Sequence, residues 1–419
     1  MKALILTAGS QGDIQPFVAL AARLRQAGDE AVLVAPPRFR SIAASRGVAF
    51  VPLESFDMTL VAKAMLDVHG PRRFLRLASS MGRLANGTLA GVRSAATGID
   101  IVVHHPLIPL GQHLAESLAV PAVAATPIPA YVPTARFPSP QWAVMTRLPG
   151  PINLLSYHAT RWAIAAPCRR ETDRWRTHQA GLPRRGGRHD PLKDSTGTAI
   201  PVLHAFSRHV LPPPHDWPDT AQVTGYWFLP TPRTWEPPHK LARFLTAGPP
   251  PVYFGLGSTS LGEPGPLVAA VQQVVTRLGI RALVSRGYRG LAGLEPSQRV
   301  LQIGNVPHDW LFPRVRAVVH HGGAGTAGAA AAAGRPQLIC PAGVDQPFWG
   351  HRMHELGVAP APLPLRSLTA KGLEHALRQI IEDPGMTERS ADLAHAINAE
   401  DGIKTAISAL HQVLKEGRQ

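Results

Sequence analysis

With 419 residues, 45% of them hydrophobic, the chain is long enough for two domains, each with its own core, and too apolar to stay disordered. Its two cysteines, Cys168 and Cys340, stand far apart, which excludes a disulfide framework, fits a reducing cytosol and leaves no cysteine–histidine cluster with zinc spacing. The formal charge of +15 comes largely from scattered arginines without a nucleic-acid recognition motif, so no nucleic-acid partner is expected. The basic balance reads as a solvated surface, with attraction to anionic lipid as the alternative.

Lys2 to Thr7 reads as a buried strand, too short an apolar run for a signal peptide, and no run approaches the roughly 20 residues that span a bilayer. A cytoplasmic protein is expected, soluble or peripheral at the inner membrane face. The strand ends in Ala8-Gly-Ser-Gln-Gly-Asp13, a helical pattern follows through Phe17, Leu20, Ala21 and Leu24, and Glu30 to Ala35 is the next strand. This is the βαβ opening of a doubly wound sheet. A G-x-G-x-x-G spacing is absent; the glycines, Gly12 among them, instead permit a tight turn that sets Ser10 and Asp13 at the top of the sheet. By position alone, Asp13 is a carboxylate that can cap the helix.

Arg38 to Pro52 reads as helix, glycine and short strand, Pro71 to Ser94 as a long helix, and Asp100 to His105 as a strand. Its last residues, His104 and His105, are either ligand groups or core histidines satisfied by backbone. Gly111 to Leu118 and Val120 to Ala125 continue the βα alternation. Pro127 to Pro151 holds seven prolines with Tyr131, Phe137 and Trp142 between them, and reads as non-helical. It is either an aromatic wall for an apolar pocket or a proline-braced surface loop. Tyr157 to His178 reads as a helix, Gly181 to Gly197 as a mobile basic loop and Ile200 to Phe206 as the last strand of the first half.

The spacing predicts a first domain over residues 1–228, a stiff proline-rich linker over 229–242, a second domain over 243–395 and a C-terminal helix over 396–419. Alternation resumes with the strand from Pro251, which runs into a glycine turn at Gly257 and Ser258. After strands at Arg281–Ser285 and Val300–Ile303 comes Ala317-Val-Val-His-His-Gly-Gly-Ala-Gly-Thr326, a strand, a glycine turn and an alanine-rich helix. The first N–H groups of such a helix are unpaired, and Gly322, Gly323 and Gly325 let a phosphate approach them closely. Thr326 adds a hydroxyl and His321 a side-chain donor near developing negative charge. The next strand, Gln337 to Cys340, ends in Pro341-Ala-Gly-Val-Asp345-Gln346. This sets a carboxylate and an amide past a strand's C-terminal end, a pair suited to sugar hydroxyls. Phosphate donors followed by a hydroxyl clamp predict a nucleotide sugar. Leu373 to Ile381 and Glu388 to Leu414 read as amphipathic helices.

The stretches His320-His-Gly-Gly-Ala-Gly-Thr326 and Cys340-Pro-Ala-Gly-Val-Asp-Gln-Pro-Phe-Trp-Gly350 resemble the donor-site signature of the UDP-glycosyltransferase superfamily (glycosyltransferase family 1, GT-B fold). Within it the chain is most similar to the sterol 3-β-glucosyltransferase-like and antibiotic glycosyltransferase branch. Gly9-Ser-Gln-Gly-Asp-Ile-Gln-Pro16, Pro133 to Pro140, Asn153 to Tyr157 and Asp216 to Phe228 extend the resemblance over almost the whole chain. It implies an α/β protein of two facing Rossmann-like domains with parallel sheets and a cleft between them, the last helix crossing back to the first domain. It implies Asp13 as the general base, although Gln11 stands where many members carry a catalytic histidine. It also implies Gly257 and Ser258 at the diphosphate, Val306 at the base, and Trp310 either at the base or packed on its own helix. The acceptor would lie near Pro127 to Pro151.

The expected activity is inverting, metal-independent transfer of a hexose to a hydroxyl of an apolar acceptor such as a sterol, lipid or natural-product aglycone. UDP-glucose is the expected donor and a TDP-sugar the alternative; no metal or permanently bound cofactor is expected. Asp13 would accept the proton, and His321 would stabilise the leaving nucleoside diphosphate. A deoxysugar transferase of rhamnosyl type, a nucleotide-sugar epimerase and a non-catalytic nucleotide- or lipid-binding relative remain as alternatives.

Overall fold

The computed structural model describes residues 1–53, 92–93, 96–142, 148–186, 189–256, 265–286, 291 and 293–417. The predicted Gly257–Ser258 turn, and the helix predicted from Pro71 apart from Val92 and Arg93, lie outside the described residues.

Two parallel sheets organise the chain. The first is built from β1 (Lys2–Leu6), β2 (Glu30–Ala35), β3 (Ala49–Pro52), β4 (Ile101–His104), β5 (Ala122–Thr126), β6 (Val202–His204) and β7 (Ala221–Val223) in the order β3-β2-β1-β4-β5-β6-β7. The second holds β8 (Val252–Gly255), β9 (Ala282–Ser285), β10 (Val300–Ile303), β11 (Ala317–His320) and β12 (Gln337–Ile339) in the order β10-β9-β8-β11-β12. In each sheet the order reverses beside the first strand, between β1 and β4 and between β8 and β11, where crevices open at the strands' carboxyl ends. β1 shows why these runs are strands: Ala3, Leu4, Ile5 and Leu6 are buried on both faces, as helices cover both sides. β7 is an additional edge strand, in which Ala221 and Val223 are buried while Gln222 faces out.

The helix Gln11–Gln26 buries Ile14, Phe17, Leu20 and Leu24 against the first sheet, each burial contributing about 1.5–3 kcal/mol. The last helix, Gly402–Glu416, lays Ala406, Ala409 and Leu410 into that same core. Its His411 Nε2 meets Asp29 Oδ2 at 3.0 Å, and the preceding Asp401 faces Arg23 at 3.6 Å. The helix predicted from Glu388 to Leu414 is thus two helices, Pro384–Asn398 and Gly402–Glu416. Asp401 caps the second, accepting from the Lys404 N–H at 3.0 Å. At Gly402 the chain presses on the Gly225 turn so closely that a Cβ would lie 2.5 Å from the Gly225 carbonyl carbon.

Three other expectations change. The irregular proline segment ends sooner than predicted, because Pro151 fits the first turn of a helix, Gly150–Ala165, that takes in Asn153 to Tyr157. The predicted helix from Tyr157 to His178 breaks near Pro167 and resumes as Arg169–Trp175. The loop from Gly181, expected to be mobile, is anchored: Arg185 is buried and donates to Glu116 Oε2 at 2.8 Å, and His189 Nδ1 lies 3.2 Å from His113 Nε2.

The two sheets do not pack as separate bodies. One apolar cluster joins Phe206 and Trp217 of the first to Ala327, Trp349 and Met353 of the second.

Candidate active site

The first half of the site is the turn after β1. Gly9 has φ +130°, and Ser10 is extended before the helix begins at Gln11. Asp13 Oδ2 accepts from the Ser10 N–H at 2.8 Å and the Ser10 hydroxyl at 2.9 Å, while the Thr7 hydroxyl donates to the Asp13 carbonyl at 2.8 Å. A Cβ on Gly9 would stand 2.4 Å from Asp13 Oδ2, so the loop needs glycine both for its left-handed backbone and for the carboxylate's space. Burial raises the Asp13 pKa, against the pull of the Ser10 bonds. The capping and base readings are therefore compatible: the same carboxylate holds the turn and gains basicity from its surroundings. Gln11 is exposed.

The second half begins where β11 ends. His320 is fully buried; its Nδ1 accepts from the Gly322 N–H at 3.0 Å and its Nε2 lies 2.8 Å from Gln337 Oε1. That pair of partners selects the neutral tautomer with the proton on Nε2. Burial, followed by the neighbouring His321, pushes its pKa down to about 3. His320 thus orients the glycine turn. Gly322 has φ +92°, and a Cβ there would come within 2.6 Å of Ile339 Cγ2 and 3.0 Å of the Gln346 carbonyl. Gly323 occupies the cap position of the helix Ala324–Ala332 and offers no side-chain cap of its own; the Asp345 carboxylate takes up the Ala324 N–H, which leaves the N–H groups of Gly325 and Thr326 in the first turn for a ligand. The His321 ring lies over this turn, its Nε2 2.7 Å from where a Gly323 Cβ would be, and burial lowers its pKa. Thr326 lies in the helix's first turn and is half-buried.

Past β12, Val344 takes φ +57°, a strained conformation for a β-branched residue, and Asp345 follows at the start of the helix Gln346–Glu355. Trp349 Nε1–H donates to Asp345 Oδ2 at 3.0 Å. Burial first, and then the charge of Asp13, raise the Asp345 pKa to about 7. Gln346 departs from the expected clamp. Its Oε1 accepts from the Ala342 N–H at 2.7 Å and, more weakly, from the Gly343 N–H at 3.4 Å. The amide oxygen braces its own loop, and the amide NH₂ is the group left for a ligand.

The two halves meet. A Cβ on Gly325 would lie 3.6 Å from the Gly12 Cα, so the starts of two helices, with their positive dipole ends, converge on one place. Tyr131 joins them. It is fully buried, and burial followed by the charges of Asp13 and Asp345 holds its phenol well above the ordinary value. The sequence leaves Tyr131 in either a pocket wall or a proline-braced surface loop; its place beside both carboxylates depends on the fold of the proline segment. Phe137 of that segment reaches Phe348 across the cleft, ring centroids 5.2 Å apart.

His104 and His105 are core residues. Both are fully buried; His105 Nδ1 accepts from the Leu107 N–H at 3.1 Å and its ring meets Phe17 and Tyr131 edge-on. Burial pushes their pKa values to about 4 and about 3. Val306 and Trp310 are half-buried, with the Arg314 guanidinium 4.3 Å from the Trp310 ring and Trp235 of the linker at 5.0 Å. Among the described residues no group of three or more His, Cys, Asp or Glu could hold a metal ion.

Two parallel-sheet domains that bring a half-buried carboxylate of one beside a glycine-rich helix start of the other define a GT-B glycosyltransferase fold. Residues 3–135 match the glycosyltransferase family 28 N-terminal domain, and residues 280–409 match the erythromycin biosynthesis protein CIII-like C-terminal domain. The kitacinnamycin glycotransferase superposes with a TM-score of 0.72 at 19% identity, covering 98% of each chain. The glycosyltransferase VinC, solved in complex with dTDP, superposes with a TM-score of 0.68 at 19% identity, covering 99% of this chain and 100% of its own.

Two sterol 3-beta-glucosyltransferases of Arabidopsis thaliana are 32% and 31% identical, over 100% and 99% of this chain and 66% and 68% of their own length. The chain belongs to this family of glycosyltransferases, in the sterol 3-beta-glucosyltransferase-like branch. It spans less of the fungal members: the sterol 3-beta-glucosyltransferase of Emericella nidulans is 31% identical, with 99% of this chain matching 30% of that one.

Proposed function

We propose that the protein is an inverting glycosyltransferase that moves a hexose from UDP-glucose to the hydroxyl of a sterol-like apolar acceptor, without a metal ion. The observation that carries the reading is the meeting of Asp13, from one domain, with the open helix start at Gly323 and Asp345, from the other. In this reading the acceptor O–H proton passes to Asp13 as its oxygen attacks the anomeric carbon from the far side. The bond from that carbon to the diphosphate oxygen breaks, and the nucleoside diphosphate leaves with the electron pair. Negative charge grows on the diphosphate, where the N–H groups of Gly323, Gly325 and Thr326 in the glycine turn, the convergent helix dipoles and His321 supply preorganised stabilisation. Asp345 and the Gln346 amide NH₂ hold the sugar hydroxyls in register. The proline segment around Tyr131 and Phe137 lines the acceptor side, and Val306 and Trp310 receive the base.

Two features support a second reading, a deoxysugar transferase using a TDP-sugar. The Gln346 oxygen is occupied by its own loop, which leaves one hydroxyl acceptor fewer for a hexose. The similarly folded VinC was solved with dTDP.

The test is release of nucleoside diphosphate from UDP-glucose, TDP-glucose and TDP-rhamnose with a mixed sterol panel, the products read by mass and the assay repeated with EDTA. Asp13→Asn is expected to lower kcat by about 10²-fold or more with donor affinity kept. Full turnover by Asp13→Asn would remove the base assignment, and loss of activity in EDTA would remove the metal-independent mechanism.

A further inference from the structure

The helix Gly150–Ala165 is inside out. Its buried face carries Asn153, Tyr157, Thr160 and Arg161, while its large apolar side chains face water. Leu155 is 64% exposed, Trp162 67% and Ile152 47%. With Ala159, these residues recur at i, i+3, i+7 and i+10, which places them along one stripe of the helix. The polar face is no accident of packing. Asn153 Nδ2 donates to the Ala135 carbonyl at 2.8 Å, Ser156 Oγ accepts from the Ser139 N–H at 2.8 Å, and Thr160 Oγ1 accepts from Trp142 Nε1 at 2.9 Å. Arg161 pairs with Asp190 at 3.2 Å. The helix is fixed with its apolar stripe outward.

We propose that this stripe is the surface on which the protein docks to an anionic lipid bilayer. Charge selects the occupant. From Ser117 to Arg170 the sequence holds five arginines, no lysine and no acidic residue. Arg136, Arg169 and Arg170 are exposed beside the helix; of the acids near it, Asp190 is neutralised by Arg161, and Asp216 lies towards the buried face, near Tyr157, and accepts from Thr134 and Ala135. An apolar stripe with tryptophan and leucine, flanked by cations, matches the interfacial layer of a membrane whose headgroups carry negative charge. A second copy of the chain would bring like charge against like, on proteins already at +15 each.

No described helix is long and apolar enough to cross a membrane, so docking would be peripheral. The same helix braces the segment that carries Tyr131, through its bonds to Ala135 and Ser139. A docked helix would therefore set the acceptor side of the cleft against the bilayer. That last step rests on the proposed function; the docking does not.

The test compares sedimentation with vesicles of phosphatidylcholine alone and of phosphatidylcholine mixed with phosphatidylglycerol. The unmodified protein is expected to bind the mixed vesicles at least about tenfold more tightly, and less so in high salt. The variant Leu155→Asp/Trp162→Asp, changed only at exposed positions, should lose at least about tenfold of that affinity while keeping its circular dichroism and its binding of UDP. Hydrogen exchange of residues 150–165 in the unmodified protein provides a readout that needs no variant, and protection should rise when mixed vesicles are added. Failure to bind mixed vesicles, equal binding to neutral ones, undiminished binding by the variant, or unchanged exchange over the helix would each overturn the proposal. A dimer in sedimentation velocity that the variant dissociates would overturn it in favour of self-association. Absent UDP binding in both proteins would count against the donor assignment and leave the vesicle result standing.

Discussion

Asp345 is held at a pKa where its ionisation opposes folding. Its native value of about 7 lies about 3 units above the reference of 3.8, because the half-buried side chain is desolvated and feels the charge of Asp13. Below its reference pKa the group is protonated in both states and the shift has no effect on stability. As pH rises towards the native value, the unfolded chain releases its proton while the native protein keeps it, and stability falls. The full effect is about 4 kcal/mol at 1.36 kcal/mol per unit. Partial exposure of Asp345 and solvent screening reduce this to about 2 kcal/mol. Asp345→Asn keeps an oxygen for the Trp349 N–H but carries no charge, so it escapes the opposition. Urea denaturation of both proteins from about pH 5 to about pH 8 should show Asp345→Asn gaining roughly 1–2 kcal/mol on the parent across that range, while activity is lost. Parallel stability curves, or a folded variant that is less stable than the parent at the alkaline end, would refute the burial argument. Full activity in the variant would refute the sugar-holding role.

Two other perturbations test the scaffold. Gly322→Ala combines φ +92° with a Cβ 2.6 Å from Ile339 Cγ2, and should cost about 2–4 kcal/mol in denaturant melts, with weaker UDP binding by calorimetry. Glu116→Ala leaves the buried guanidinium of Arg176, now bonded to both Glu116 oxygens at 2.7 and 2.9 Å, without its counter-ion, and Arg185 likewise. It should destabilise the first domain by about 3 kcal/mol or more, measured by urea denaturation, with UDP affinity unchanged where the protein stays folded.

What could be read from sequence followed from how local the signals are. Strands such as Lys2–Leu6 and Ala317–His320 are continuous apolar runs ending in glycine turns, and the residues just past them are fixed by the chain itself. The placing of Ser10, Asp13, His321 and Gly322 to Thr326 just past strand ends was legible for that reason. Tyr131 was only half legible, because an irregular proline segment shows neither period 2 nor period 3.6 to fix where its side chains fall. That the Gln346 oxygen is claimed by Ala342 and Gly343 was not legible, because residue types do not encode this loop geometry. The helix Gly150–Ala165 was hidden for the opposite reason: an apolar stripe at helical spacing ordinarily faces a core, and only tertiary bonds to Asn153, Ser156 and Thr160 reveal that it faces out.

Neither domain holds a complete site, so the chemistry depends on what registers one sheet against the other. Gly328 in the helix Ala324–Ala332 has no room for a Cβ, which would meet the Tyr226 ring at 2.4 Å; Tyr226 comes from the segment just past β7. Arg352 of the Gln346–Glu355 helix donates to the Val210 carbonyl across the same boundary, and Phe348 meets Phe137. Gly402 closes on Gly225, after which the last helix returns to the first core. These contacts ring the point where Gly12 faces Gly325. The two glycines carry no side chains and so let the helix starts come almost into contact, a Cβ on Gly325 lying 3.6 Å from the Gly12 Cα, and the groups around them hold that approach. In the proposed mechanism a diphosphate beside these converging positive helix ends needs their register maintained, since a dipole's stabilisation of an anion fades beyond the first turn. The apolar contacts at the boundary therefore act on the chemistry through spacing alone.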